Sequence, residues 1–297
     1  MSFAGAAAAV EYEIVGPPGT PVVLALGGIS ADRHVTTGWW SRIAGVGRAM
    51  DTTESRVLGV DFLDGGRGVD GRPERTVTTH DQADAIAAVL DELSIERLHA
   101  AVGASYGGMV ALAFAERYPD RVEGLVVIGA AHRAHPMTTA RRVIQRGIVE
   151  LGLDTAHAFD GLALARALAM TTYRSDAEFG ARFTSGDPAA VKAYLRHQGE
   201  KFAHRFTPER FLALSLSSDL HRVDPARVRA TTTLVAAEND GVVPRADVEE
   251  LARALAAPRR IVDLPSIHGH DAFLTDTEPL SHILRDALAS PVTRNLS

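Results

Sequence analysis

The sequence predicts an α/β fold: a mostly parallel sheet, helices on both faces and one long helical insertion. Three observations carry this expectation. Short apolar runs without polar alternation recur along the 297 residues, as strands buried on both faces do. Helical periodicity fills the intervals between them, the order that gives right-handed crossovers in a parallel sheet. From 137 to about 222 the alternation stops and only helical patterns remain.

Taken in order, residues 3–10 are apolar, with no Lys or Arg before them and Glu11, Tyr12 and Glu13 directly after. A secretory signal needs a basic start and a longer apolar run. The expectation is a small-residue tail leading into a first strand, and a cytoplasmic protein. Strand-like runs follow at 21–26 (PVVLAL), 56–62 (RVLGVDF), 98–102, 125–128, 233–237 and 260–264. Helical patterns lie at 82–93, 110–117, 246–256 and 280–289. The insertion reads as TARRVIQRGIVELG, then AHAFDGLALARALAMTTYR, then AAVKAYLRHQGEKFAHRF, with its loop expected at 180–188. The organisation expected is a core of 1–136 and 223–297, with 137–222 as a helical lid. The Gly-rich stretch 65–73 lacks the Lys-Ser/Thr ending of a phosphate loop and reads as surface.

Composition narrows the function. Hydrophobic residues are 46% and charged residues 23%, as in an ordinary folded domain that buries its own core. No cysteine is present, which removes disulfides, thiolate metal sites and a cysteine nucleophile. A net charge of −6 and 6% aromatics argue against a nucleic-acid surface. No stretch reads as membrane-spanning, and no metal site is expected.

The sharpest motif is Gly103-Ala104-Ser105-Tyr106-Gly107, directly after the strand LHAAV and directly before the helix MVALAFAERY. A G-x-S-x-G at a strand–turn–helix junction is a nucleophile elbow. It lifts Ser105 above the sheet and aims the Tyr106 amide at a developing oxyanion, at a helix N-terminus. A serine nucleophile needs a base, and the base an orienter. The strand TTLVAA ends at Glu238-Asn239-Asp240-Gly241. Asp240 is preferred over Glu238 because its shorter side chain runs directly into the Gly241 turn, a turn it also suits structurally. After the last strand, His268 and His270 compete, and His270, opening an apolar segment, is favoured as base. His132 and His135, past the run 125–128, are candidates for lining a pocket. Trp39 and Trp40 fit either core or pocket wall.

Here the chain resembles the homoserine O-acyltransferases of methionine biosynthesis, which have the α/β-hydrolase fold. The stretches that carry the resemblance are GASYGGMVALAFAERYPDRV, GWWSRIAGVGRAMDT, GLALARALAMTTYRS, YLRHQGEKFAHRF and GHDAFL. The resemblance implies Ser105 as nucleophile, Asp240 as acid and His270 as base. It places the amino-acid-binding arginine at Arg166, a pocket tyrosine at Tyr173 and an acidic partner at Asp271. Arg166 would clamp the homoserine carboxylate and Asp271 its ammonium. The family's oxyanion segment is replaced here by Leu26-Gly27-Gly28-Ile29-Ser30, in which an amide near Gly28 would serve as second donor. That variant is closer to the succinyl-using branch, while the 65–73 loop replaces a stretch usual in acetyl-using members.

The implied activity is transfer of a succinyl or acetyl group from acyl-CoA to the hydroxyl of L-homoserine. It is a ping-pong reaction with acyl-CoA as co-substrate and no bound cofactor. The alternatives are serine as acceptor, one methylene shorter, or an esterase or thioesterase using the same triad. The family implies a homodimer through the helical insertion.

Overall fold

A computed structural model describes residues 10–289. Most of the expected apolar tail, 3–9, lies outside the described residues. The strand it leads to, β1, spans Tyr12–Val15. The others are β2 (Val22–Leu26), β3 (Arg56–Val60), β4 (Leu98–Ala104), β5 (Val122–Ile128), β6 (Thr231–Ala237) and β7 (Arg259–Leu264). They form one sheet in the order β1-β3-β2-β4-β5-β6-β7. Only β1 is antiparallel, paired with β3; the remaining pairs are parallel.

The pleat divides each apolar run between two cores. In β2 all five residues are buried. Leu24 and Leu26 join one hydrophobic cluster, whereas Val23 and Ala25 join the cluster on the opposite face. Cutting Leu24 back to Ala would cost about 2–5 kcal/mol at such a site.

The core helices are α1 (Thr79–Glu92) and α2 (Tyr106–Arg117), both packed in the first cluster. Thr78 opens α1 with a capping box: it accepts from the Asp81 amide while Asp81 accepts from the Thr78 amide at 2.7 Å. Between β5 and β6 come five helices: α3 (Pro136–Asp154), α4 (Ala158–Tyr173), α5 (Asp176–Arg182), α6 (Pro188–Ala203) and α7 (Pro208–Leu220). After β6 follow α8 (Arg245–Ala254), α9 (Ala272–Thr275) and α10 (Thr277–Ala289).

The loop expected at 180–188 is shorter, because α5 continues to Arg182 and α6 starts at Pro188. The physical reason is capping. Ser175 accepts from the Glu178 amide and starts a helix that runs into the expected loop. Asp187 then caps α6, with Pro188 in its first turn. Thr207 and Pro208 repeat that device at α7. Within the segment α3 packs on α4 and α7, and α4 on α6.

Candidate active site

Three strand ends meet on one edge of the sheet. β4 runs into Ser105, whose φ of 53° and ψ of −119° lie outside the ordinary regions for a side-chain-bearing residue. Such strain costs roughly 1–3 kcal/mol and is held by its surroundings. Two glycines make the turn possible. A Cβ on Gly103 would sit 2.2 Å from the Gly107 carbonyl oxygen, and one on Gly107 would sit 2.3 Å from that of Leu26. The Gly107 amide also donates to the Gly27 carbonyl at 2.9 Å, which ties the segment after β2 to the elbow. Among the described residues, neither the Tyr106 nor the Gly28 amide has a backbone acceptor. The Tyr106 side chain is buried, its hydroxyl 2.8 Å from Ser217 Oγ and 3.3 Å from Gln82. Burial pushes that phenol up to about 12.

Past β6, Asn239 takes a left-handed φ of 57° and turns the chain into Asp240. Asp240 Oδ1 accepts from the amides of Val242 and Val243 at 2.8 and 2.9 Å. Its Oδ2 lies 2.8 Å from His270 Nδ1. The carboxylate therefore shapes its own turn and faces the histidine at once. Past β7, His270 sits in a short helical turn, Gly269–Asp271, and is 2% exposed. Its Nε2 is 2.8 Å from Ser105 Oγ. Burial disfavours its protonation, but the charge and hydrogen bond of Asp240 outweigh it, so His270 titrates above the ordinary histidine value.

A narrow cavity of about 70 Å³ adjoins this line of groups, and Gly28, Tyr106, Arg166, Tyr173 and Asp271 all border it. Arg166, on α4, stacks against Tyr173 and Phe202 with its guanidinium carbon 5.1 and 4.9 Å from the ring centres. Among the described residues it has no carboxylate within 4.0 Å. Asp271 is 5% exposed, and burial pushes its carboxyl up against the opposing pull of Arg174, Arg166 and His270. Arg174 Nε approaches it to 3.1 Å, although too poorly aligned for a hydrogen bond. Sequence reasoning missed Arg174, which also holds Glu178 at 3.2 Å. Its signal was faint: one more cation at the end of an apolar helix.

Several other candidates fall elsewhere. Trp39 borders the cavity, whereas Trp40 is core at 2% exposure. His132 and His135 do not line it: His132 faces Glu250 at 3.4 Å, and His135 caps α3 by accepting from the Met137 amide at 3.2 Å. Glu238 places its amide on the Leu264 carbonyl, within the sheet edge. His268 lies 3.6 Å from Glu178 and 4.0 Å from Asp276, outside the Ser105 line. Among the described residues no cluster of three His, Asp or Glu side chains could hold a metal ion, and no helix is long and apolar enough to cross a membrane.

A family model described as the alpha/beta hydrolase fold matches residues 21–277. A homoserine O-succinyltransferase of Xanthomonas campestris pv. campestris is 43% identical over 94% of this chain and 78% of its own length. A homoserine O-acetyltransferase of Thermus thermophilus is 36% identical over 83% and 71%. The crystal structure of a homoserine O-acetyltransferase from Bacillus anthracis superposes with a TM-score of 0.84 over 97% of this chain and 93% of that one. At 18% identity it bears on the fold alone. An elbow after β4, its partners after β6 and β7, and close likeness across nearly the whole chain make this protein a member of the homoserine O-acyltransferase family, within the α/β hydrolases.

Proposed function

We propose that the protein transfers an acyl group from acyl-CoA to the hydroxyl of L-homoserine, with Ser105 as nucleophile, His270 as base and Asp240 as its orienter. The observation that carries this reading is the unbroken line Ser105–His270–Asp240, with both contacts at 2.8 Å, beside a cavity bordered by an uncommitted arginine. Ser105 Oγ passes its proton to His270 Nε2 and attacks the thioester carbon. The oxyanion rests on the Tyr106 and Gly28 amides. The C–S bond breaks, the CoA sulfur takes the proton from His270, and an acyl-serine remains. Homoserine's hydroxyl then gives its proton to His270 and attacks the ester. Ser105 leaves with that proton. Asp240 holds the Nδ1–H tautomer throughout and stabilises the imidazolium in both halves.

Arg166 is the clamp for the homoserine carboxylate, and Asp271 receives the ammonium, with Tyr173 closing the side. A second cavity, of about 660 Å³, shares Ser30, Trp39 and Arg166 with the first and carries Lys201, Arg205 and Arg210 together with Asp32 and Asp61. Its cations suit the phosphates of a CoA entering from that side. In this reading residues 137–222 roof the acyl-enzyme and keep water from it.

The same reading includes a homodimer and a cytoplasmic location, where acyl-CoA is available. Met137, Val143, Ile144 and Leu151 on α3 and Phe159 and Leu164 on α4 are exposed large apolar side chains, a concentration that suits burial against a second copy. Sedimentation should give twice the 31.6 kDa chain mass at micromolar concentration; a monomer alone overturns the dimer.

The function is tested by products. Mixing enzyme with succinyl-CoA or acetyl-CoA alone should release about one equivalent of CoA, and adding homoserine should start turnover to the O-acyl amino acid. Equal CoA release with and without an amino acid acceptor would make the protein a thioesterase. Preference for serine would change the acceptor.

A further inference from the structure

The turn that carries His270 and Asp271 is fastened to the junction between α4 and α5. Ser175 donates to the Ile267 carbonyl while it caps α5 at the Glu178 amide. Gly269 takes a left-handed φ of 65°. A Cβ there would sit 3.0 Å from the Ser175 nitrogen and 3.2 Å from the Tyr173 carbonyl oxygen, so the two segments touch main chain to main chain.

Arg174 lies at the centre of this joint, between two buried carboxylates. Its Nη1 donates to Glu178 Oε2 at 3.2 Å, and its Nε is 3.1 Å from Asp271 Oδ2. Glu178 also accepts from Arg182 at 2.7 Å, so it keeps a cation without Arg174. Asp271 is placed differently. It borders the cavity beside Ser105, and among the described residues its carboxylate accepts no hydrogen bond. The charged and titratable groups that face it are Arg174, Arg166, His270 and Glu178. Burial favours its protonated form; Arg174, Arg166 and His270 oppose that, and Glu178 adds to it.

These opposing groups are not equivalent during turnover. In the reading above, on which this inference rests, Arg166 is engaged by the homoserine carboxylate, and His270 is neutral when it acts as base. Arg174 does not border the cavity, so no substrate group draws it away. We propose that Arg174, braced by Glu178, is a positioning residue for the acceptor: it stands behind Asp271 and keeps that carboxylate a charged and aimed partner for the ammonium of the incoming amino acid. Arg174 touches neither substrate nor reacting atoms and acts through Asp271. It makes an amino group on the acceptor, and not a hydroxyl alone, a condition of efficient transfer.

The test compares homoserine with 4-hydroxybutyrate, which has the same carboxylate and hydroxyl and no ammonium. In wild-type enzyme the ratio of the two kcat/KM values should favour homoserine and stay flat from about pH 6 to about pH 8, because the titration of His270 cancels in the ratio. Arg174→Gln leaves Glu178 paired with Arg182. It should cut the ratio by roughly 10- to 100-fold at about pH 6, through KM for homoserine more than kcat, and by less as the pH rises and Asp271 regains its charge. Arg174→Lys should restore part of the ratio, because the charge returns. A merely structural joint would slow both acceptors alike at every pH; that result in Arg174→Gln overturns the proposal, as does a wild type that does not distinguish the two acceptors. If the variants fold poorly, the wild type decides: a flat ratio supports the proposal, and a preference for homoserine that collapses below about pH 7 overturns it. Release of CoA with acylation of neither homoserine nor serine would strike down the transferase reading. The calorimetric affinity of the enzyme for homoserine over 4-hydroxybutyrate then carries the comparison: its loss in Arg174→Gln leaves the positioning role standing, and no change overturns it.

Discussion

The turns that end β4, β6 and β7 and the helices α3 and α4 build opposite walls of one cavity by different means. On the sheet side, each group sits within six residues of a strand end, and two of the three are fixed by the main chain. Ser105 is forced by its own strained turn, Asp240 by the amides of Val242 and Val243, and His270 by Asp240. On the helical side, Arg142 and Arg166 are long side chains placed by other side chains: Asp219 for one, the rings of Tyr173 and Phe202 for the other. Main-chain fixation suits groups whose reacting atoms must stay within a few tenths of an ångström. Side-chain fixation suits recognition, which tolerates looser geometry. The chemistry should therefore fail when the sheet edge is altered, and the choice of substrate should shift when the helices are.

The sharpest break of that division is Ser105→Ala. CoA release and transfer should both fall by at least about 10⁴-fold, since no other nucleophile is in line with His270. The melting temperature should hold, because removing the hydroxyl leaves the backbone turn as it is and loses little packing. Retention of near wild-type turnover would end the triad assignment.

Next in size is Arg166→Ala. It should leave the CoA burst largely intact and slow transfer to homoserine by roughly 30- to 1000-fold, an effect on the order of 2–4 kcal/mol for a bidentate charged contact. Arg166 also stacks on two rings, so Arg166→Lys is the cleaner probe: it keeps the charge and should recover only part of the rate. Loss of burst and transfer to the same degree would move Arg166 from acceptor recognition to the acyl donor or to structure.

The pH profile follows with a smaller span. As the proposed base, His270 would act only when neutral, and its pKa stands above the ordinary value of about 6.5. Acylation should rise with pH through a midpoint above that value. Asp240→Asn removes the carboxylate's attraction for the proton and should move the midpoint down while lowering the rate. A wild-type midpoint at or below about 6 would contradict the buried His270–Asp240 pair.

How much of this the sequence could tell follows the same division. The meeting of Ser105, Asp240 and His270 was legible because each lies within six residues of the end of an apolar run, on the same edge of the sheet. The strand ends themselves came out within about two residues, except that β5 starts at Val122. His132 also follows a strand, yet the structure turns it to Glu250, so position after a strand does not by itself bring a residue to the cavity. The helical wall was hardly legible. Arg166 and Asp271 came only through family likeness. Arg142 finds Asp219, a partner 77 residues away, which no local spacing announces. Arg174 is noticed only once burial is known. The start of α5 was hidden for a different reason: Ser175 reads as loop until its hydroxyl is seen to cap Glu178.

The smallest effect tests how the helices are fastened to the sheet. His221 directly follows α7 and is buried, with Nδ1 2.9 Å from Thr79 Oγ1 and Nε2 3.1 Å from the Ala131 carbonyl. Ala131 offers only an acceptor, so Nε2 carries the proton and Nδ1 accepts from the Thr79 hydroxyl, which is the neutral imidazole. Burial drives its pKa down to about 3. The folded chain therefore refuses a proton that the unfolded chain takes up below about 6.5. The contribution of His221 to stability is complete above that pH and drains away as the pH falls toward about 3. This is opposite in sign to His270, whose raised pKa adds stability on the acid side and loses it as pH rises through the raised value. Replacing His221 with Gln keeps a donor and an acceptor of similar reach without the titration. Its melting temperature at pH 7 should fall by a few degrees, about 1 kcal/mol of imperfect packing and hydrogen bonding. Between pH 7 and pH 5, however, the variant should lose less stability than the wild type does. If the two curves run parallel across that range, His221 is not held neutral by the fold, and the joint between α7 and the sheet is looser than its two hydrogen bonds imply.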